Sequence, residues 1–80
     1  MDELKIQGKV LEMMRKKANM TQSDGARIFK HGRAWINEIE KGRMNISFRD
    51  AKRLVEHYGF NLNDYDALYS EVEEKMSDIK

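Results

Sequence analysis

The chain has 80 residues, of which 36% are charged, and it contains neither cysteine nor proline. This length supports one small domain, and the lack of cysteine excludes a disulfide framework and a thiolate metal site. No apolar run approaches the ~18 residues of a membrane span, and no signal-peptide core follows Met1, so we expect a cytoplasmic protein.

The net charge of +1 averages two unlike parts of the chain. Residues 1–59 hold 13 Lys and Arg against 8 Asp and Glu, whereas residues 60–80 hold 2 against 6. A basic body suits contact with phosphates, although ordinary solvated helix surfaces would give the same pattern.

The first predicted helix spans residues 4–18, where apolar residues recur at helical spacing. Asn19 ends it, since asparagine tolerates the left-handed conformation of many helix exits. Two short helices follow, over residues 21–29 and 33–41. Thr21, with an aspartate three residues later, fits the capping pattern that opens a helix. Gly32 separates the two helices, and a second glycine directly follows them.

A helix-turn-helix of this size has a known use. One helix lies across the phosphate backbone while the next enters the major groove, so the pattern predicts sequence-specific binding to double-stranded DNA.

Two more helices complete an all-α prediction. A capping pattern at Ser47 predicts the start of the fourth helix, which runs to Tyr58, and a similar pattern at Asn61 predicts the start of the fifth. The fourth helix is expected to face inward with Phe48, Ala51, Leu54, Val55 and Tyr58.

The last helix carries a second signal. Its apolar residues alternate at spacings of three and four, which is typical of a helix that packs against another helix. We divide the chain into a DNA-binding domain, residues 1–60, and a C-terminal helix, residues 61–80, packed on it. Since the second half of this helix has no obvious intramolecular partner, it predicts a homodimer; the alternative is that the whole helix folds back on its own domain. The predicted dimer residues are Tyr69, Val72, Met76 and Ile79.

These residues resemble the lambda-repressor/Cro-like, or Xre, family of helix-turn-helix transcriptional regulators. The resemblance covers roughly residues 8–65. It rests on Gly8, Leu11, Met14-Arg15, Thr21-Gln22, Ala26, Ile36, Ile39-Glu40 and Gly42. It implies a compact five-helix repressor-like domain with an extended C-terminal helix, in which Arg15 and Glu40 form a buried ion pair.

Three positions depart from that family's pattern. The family usually has a large aliphatic residue at Gly25, a glycine at Lys30 and an aliphatic residue at His31. Lys30 is therefore expected to adopt the left-handed conformation usually left to glycine, or the turn is rebuilt around Gly32.

The resemblance also implies which residues meet DNA. Arginine can bind guanine in a two-bond fork, asparagine can bind adenine likewise, and glutamate can accept from cytosine. For every candidate the alternative is an ordinary solvated side chain. The expected base-reading residues are Arg33, Ala34, Asn37 and Glu38. The expected phosphate-binding residues are Gln22, Lys41, Arg43, Asn45 and Arg49.

The remaining distinctive residues indicate packing rather than chemistry. Trp35 either covers the turn near His31, the commoner fate of a large aromatic residue, or stacks on a sugar. His31 and His57 have no partner at metal-ligand spacing. No catalytic or nucleotide-binding motif is present, so we expect neither an enzyme nor a cofactor or metal.

The sequence thus predicts a dimeric repressor of phage or mobile-element type that binds an inverted-repeat operator. Two alternatives stay open: the antitoxin of a toxin–antitoxin pair, which binds DNA and a toxin, or a helix-turn-helix module that binds only protein, such as an antirepressor or inhibitor. Salt-dependent DNA binding separates the first two from the third, and a co-purifying partner identifies the antitoxin.

Overall fold

The computed structural model describes residues 3–78 and is helical, with short turns between the helices. No strand occurs in that range and it holds five helices, so the predicted all-α fold is confirmed. None of the helices in it is long and apolar enough to cross a membrane. The helices are α1 (Glu3–Lys17), α2 (Gln22–Ala26), α3 (Arg33–Glu40), α4 (Phe48–His57) and α5 (Leu62–Asp78).

The core is built around α1, which packs against both α3 and α5. One face of α1 buries Ile6, Val10, Leu11 and Met14 almost completely. The remaining core residues are Ala26, Ile36, Ile39, Ile46, Ala51, Leu54, Val55, Tyr58 and Val72.

A glycine lets α1 and α3 approach each other closely. A side-chain carbon on Gly8 would clash with the backbone carbonyls of Ile39 and Glu40. Any larger residue at this position would push the two helices apart. The last turn of α3 therefore rests directly on α1.

Local hydrogen bonds define several helix ends where the sequence predicted them. At α2 the Asp24 N–H donates to Thr21 Oγ1 over 3.1 Å, and the Thr21 N–H donates back to the Asp24 carboxylate over 2.9 Å. Asn61 and Asp64 exchange the same two bonds at α5. Left-handed residues stand at the exits of α1, α3 and α4: Asn19 (φ 59°), Gly42 (φ 74°) and Gly59 (φ 90°).

The turn between α2 and α3 adopts neither of the two predicted conformations, a left-handed Lys30 or a turn rebuilt around Gly32. α2 ends at Ala26 rather than at residue 29, and the chain tightens into bonds between residues three apart, such as that from the Phe29 N–H to the Ala26 carbonyl. Lys30 is not among the residues with positive φ. Gly32 is extended (φ −95°, ψ −178°) and caps α3 without a side-chain hydrogen bond. The turn therefore forms without any left-handed residue.

The prediction that Phe48 faces inward is wrong. Phe48 begins α4 with 74% of its surface exposed, whereas Ala51 and Leu54 of the same helix are buried. Ile46, which precedes the Ser47 cap, enters the core in its place. The capping residue thus separates an inward side chain from an outward one.

The second half of α5 has an intramolecular partner, contrary to expectation. Because α5 packs against α1, Val72 is only 6% exposed, and Tyr69 and Met76 pack partly buried against the core. Ile79 lies outside the described residues. The helix folds back on its own domain, and of the predicted dimer residues in the described range only Tyr69 and Met76 keep partly exposed surface.

Candidate nucleic-acid interface

The last turn of α3 is held by an ion pair between Arg15 of α1 and Glu40. Arg15 Nε donates to Glu40 Oε2 over 2.7 Å, and Nη2 donates to Oε1 over 3.1 Å. Nη1 donates to the carbonyl of Met20 over 2.9 Å, which ties the exit of α1 to the same group. The two charged side chains are only 11% and 4% exposed. The hydrogen bond from Arg15 to Glu40 raises the pKa of the Arg15 guanidinium, which therefore stays charged.

Gln22, the first residue of α2, joins this group. Its Nε2 donates to Glu40 Oε1 over 3.0 Å and to Asn37 Oδ1 over 3.2 Å. Both amide protons are thus used inside the protein. A phosphate contact through Nε2 requires one of these bonds to open, so the resting side chain links α2 to α3 rather than facing solvent.

The predicted base-reading residues share the outward face of α3. Arg33 and Ala34, in its first turn, are exposed, and Asn37 and Glu38, in the next, are half-buried. The opposite face of the helix is buried in the core. One side of α3 is therefore fixed by packing, and the other presents one cation, one amide and one carboxylate to a ligand.

Exposed basic and polar residues follow α3 in the chain. The predicted phosphate-binding residues of the following loop and of the first turn of α4 are all exposed: Lys41, Arg43, Asn45 and Arg49. Arg43 Nη1 lies 3.4 Å from Glu38 Oε2. Since the Arg43 side chain is 62% exposed and that of Glu38 is 37% exposed, water screens their attraction, and Arg43 can exchange this contact for one with a phosphate.

An aromatic stack covers the turn between α2 and α3. The His31 ring lies on Trp35 with centroids 4.2 Å apart and planes 16° apart, and Phe29 meets Trp35 edge-on at 4.8 Å. Trp35 therefore packs over the turn, which is the interpretation that the sequence favoured. The stack gives the turn an apolar cover although residue 31 is a histidine.

Sequence reasoning missed Arg53 of α4. Its guanidinium carbon lies 4.9 Å from the centroid of the Phe29 ring, and its Nη2 donates to the Ile28 carbonyl over 3.0 Å. These contacts attach the turn to α4. The sequence offered no specific signal, because a cation on an amphipathic helix usually belongs to its solvated face.

The position of Tyr58 explains why residue 25 is a glycine. A side-chain carbon at Gly25 would lie 2.5 Å from Tyr58 Oη, so the tyrosine fills the space that a larger residue on α2 would take. The Tyr58 hydroxyl is buried with no hydrogen-bond partner in the described part of the chain. Burial raises the pKa of this hydroxyl well above its ordinary value, which keeps it neutral.

The histidines contact protein groups. His31 belongs to the aromatic stack, and His57 Nε2 lies 2.9 Å from the Asp24 carbonyl oxygen, joining α4 to α2. Within residues 3–78, no cluster of three or more His, Asp or Glu side chains could hold a metal ion.

Two short helices, α2 and α3, joined by a tight turn, with α3 seated on α1, define the helix-turn-helix class. A family model described as a helix-turn-helix domain matches residues 8–71, well over half of the chain, so the chain belongs to this family. The family is one of DNA-binding regulatory domains rather than of enzymes. Comparisons with curated proteins and with solved structures gave no match. The narrower lambda-repressor/Cro-like relationship stays a prediction.

Proposed function

We propose that this chain is a sequence-specific transcriptional regulator that inserts α3 into the major groove of double-stranded DNA and acts as a dimeric repressor. The observation that carries the proposal is the two-sided character of α3. Its inner face is fixed by core packing and by the Arg15–Glu40 pair, and its outer face carries the exposed Arg33 and Ala34 with the half-buried Asn37 and Glu38. A rigid helix with an outward polar face is what base reading requires.

The outward groups suit the two kinds of DNA contact. Arg33 can bind guanine O6 and N7, and Asn37 lies one turn further along the same face. Lys41, Arg43 and Arg49 follow α3 and suit the phosphates beside the groove. Base contacts supply specificity, and the cations supply affinity that depends on salt.

The proposed dimer presents one α3 to each half of an inverted repeat. Two recognition helices related by a two-fold axis would reach half-sites about 34 Å apart on one face of B-DNA. Of the predicted seam, Tyr69 and Met76 keep partly exposed edges, whereas Val72 is buried within its own domain. Sedimentation of the protein as a monomer at micromolar concentration, with and without DNA, would contradict the dimer but not the DNA contact.

Selection of genomic duplexes on the purified protein at physiological salt tests DNA binding. On the best duplex, Arg33→Ala should lose about 1–3 kcal/mol and relax the preference at one base pair. Lys41→Ala should weaken all duplexes alike and lower the salt slope by about one unit. Lys17→Ala is the matched control, because Lys17 lies in a groove between α1 and α5 that no residue of α3 lines.

A second function, binding of a protein partner without DNA, is favoured by one observation. Phe48 is 74% exposed and Met44 is 40% exposed. Phe48 borders a groove of about 500 Å³ that is lined mostly by apolar side chains of α4, of α5 and of the loop before α4. Failure to select any duplex at low salt would favour this function over the first.

A further inference from the structure

A groove of about 490 Å³ lies where α1, α5 and the residue that follows α3 come together. Its apolar floor is formed by residues that pack buried or half-buried against the core: Met13, Val72 and Met76. Its basic residues are all exposed at the rim: Lys5, Lys9, Lys41 and Lys75. We call this site the lysine groove. It thus places several cations around a surface that water wets poorly.

The charge of the lysine groove is positive because its carboxylates are few and already paired. Two glutamates line it, Glu40 and Glu71. Glu40 is bound to Arg15 over 2.7 Å outside the groove's own lysines. Glu71 Oε1 lies 3.8 Å from Lys75 Nζ in a pair whose side chains are 59% and 73% exposed. Such an exposed pair is weak, so Lys75 can exchange it for another anion.

The backbone brings the other lysines to one side of the groove. Lys5 and Lys9 stand four residues apart on the same face of α1, where like charges repel each other. The loop after α3 touches the start of α1, since a side-chain carbon on Gly42 would lie 2.7 Å from Lys5 Cγ. This contact places Lys41 beside the two lysines of α1. An anion bound among these ammonium groups would offset their repulsion.

A second groove of the same size shows that charge, rather than volume, distinguishes the site. The groove beside Phe48 has a volume of about 500 Å³ and is also lined mostly by apolar side chains. Among the described residues that line it, the one charged side chain is that of Asp66. An uncharged apolar ligand would suit both grooves, whereas an anion suits the lysine groove alone.

We propose that the lysine groove binds a small amphipathic anion, an aliphatic carboxylate whose chain lies on the apolar floor and whose head group is held by the lysines. Its volume falls within the range of about 300–1,000 Å³ that is usual for small-molecule sites. The two methionines suit a flexible chain, because their unbranched side chains adapt to it. A nucleic-acid phosphate would leave the apolar floor uncovered. The site is distinct from the base-reading face of α3, since none of Arg33, Ala34, Asn37 and Glu38 lines it.

The test is an NMR titration of the ¹⁵N-labelled protein with decanoate below its micelle-forming concentration. We expect saturable shift changes at Lys9, Lys41 and Val72, with the groove beside Phe48 unaffected. Affinity should rise by about two- to fourfold for each methylene added between hexanoate and decanoate, because each covers more of the apolar floor. Acetate, which lacks the chain, and decyltrimethylammonium, which carries the opposite charge, should show no saturable binding in the lysine groove.

Variants of exposed lysines separate binding from folding. Replacing both Lys9 and Lys75 by glutamine should weaken decanoate binding by about fivefold, because each removes one exposed charge contact. Lys16→Gln is the matched control: Lys16 also lies on α1 and pairs with Glu12 over 3.4 Å, but it does not line the groove, so affinity should not change.

Several results would overturn this inference. They are the absence of saturable decanoate binding, an affinity independent of chain length, shift changes confined to the groove beside Phe48, or an equal loss in Lys16→Gln and in the double variant. Binding to vesicles of anionic lipid without binding to decanoate would also overturn it, because the lysines would then serve a membrane surface. Since none of these measurements involves a duplex, failure here leaves the proposed DNA contact intact.

Discussion

The two ends of α3 differ in what holds them: a buried ion pair at the C-terminal end and an exposed aromatic stack at the N-terminal end. At its C-terminal end, Arg15 and Glu40 form a buried pair at 2.7 Å that a glutamine joins. At its N-terminal end, Gly32 caps the helix without a side-chain bond, and the exposed His31 stacks on Trp35. Removing one member of a buried ion pair leaves its partner as an uncompensated buried charge. Removing an exposed aromatic contact costs less, because only the energy of that contact is lost. The position of α3 is therefore set mainly at its C-terminal end.

The largest expected effect comes from Glu40→Ala. This change leaves the Arg15 guanidinium, 11% exposed, without its carboxylate and removes one of the two acceptors of Gln22 Nε2. We expect the free energy of unfolding to fall by about 3–5 kcal/mol, measured by urea denaturation. Glu38→Ala is the matched control on the same helix, and because its pair with Arg43 is exposed it should change stability by less than about 1 kcal/mol. Equal effects of the two substitutions would contradict the contrast between the ends of α3.

The next effect concerns the fit between α2 and α4. Gly25→Ala brings a carbon within 2.5 Å of Tyr58 Oη, so we expect a net loss of about 1–3 kcal/mol despite the better helix propensity of alanine. In a Tyr58→Phe background the nearest remaining atom is the ring carbon Cζ at 3.3 Å, and most of the loss should disappear. Additive effects of the two substitutions in a double-mutant cycle would show that the hydroxyl does not occupy this space.

A smaller effect is expected at the turn. Trp35→Ala removes the stack on His31 and the edge contact with Phe29, and should lower the free energy of unfolding by about 1–2 kcal/mol. Trp35→Phe, which keeps an aromatic ring, should lose less. If Trp35→Ala weakened DNA binding without changing the unfolding curve, the residue would be a DNA contact and the packing role would be wrong.

The smallest expected effect is a gain in stability when Gly32 is replaced. This residue is exposed, extended, and has open space where a side chain would stand. Gly32→Ser supplies a capping oxygen to α3 and restricts the unfolded chain, so thermal denaturation should show a stabilisation of about 0.3–1 kcal/mol. Loss of stability would mean that the turn needs the conformational freedom of glycine after all.

The sequence predicted the features that depend on two residues at a fixed separation. Thr21 and Asp24 exchange their two capping bonds. The ion pair of Arg15 with Glu40, 2.7 Å from Nε to Oε2, was implied by the resemblance to the lambda-repressor/Cro-like family rather than by the residues alone. Asn19 adopts the left-handed conformation at the exit of α1. Each of these features is local, or it rests on a pair whose members have little freedom once the helices pack.

The sequence did not predict features that depend on how several elements meet. Gly25 stood out only as a departure from the family's pattern, because nothing in the local sequence indicates that Tyr58, 33 positions later, fills the space. Phe48 has the right helical spacing to face inward, yet the Ser47 cap places it at the edge of the domain. Val72 belongs to the apolar residues of α5 that recur at spacings of three and four, which suggested a dimer. It is instead buried against α1 of its own domain, and the spacing within α5 does not indicate which helix is the partner.

The most direct test of the central claim, that the outward face of α3 binds duplex DNA, is an NMR titration of the ¹⁵N-labelled protein with its selected duplex at physiological salt. We predict that the largest shift changes fall on the backbone of α3 and on the side-chain amide of Asn37, with smaller changes at Lys41 and Arg43. Most of α5 should be little affected by DNA contact itself. Saturable changes centred on Phe48 and the groove beside it, with α3 unchanged, would contradict the account.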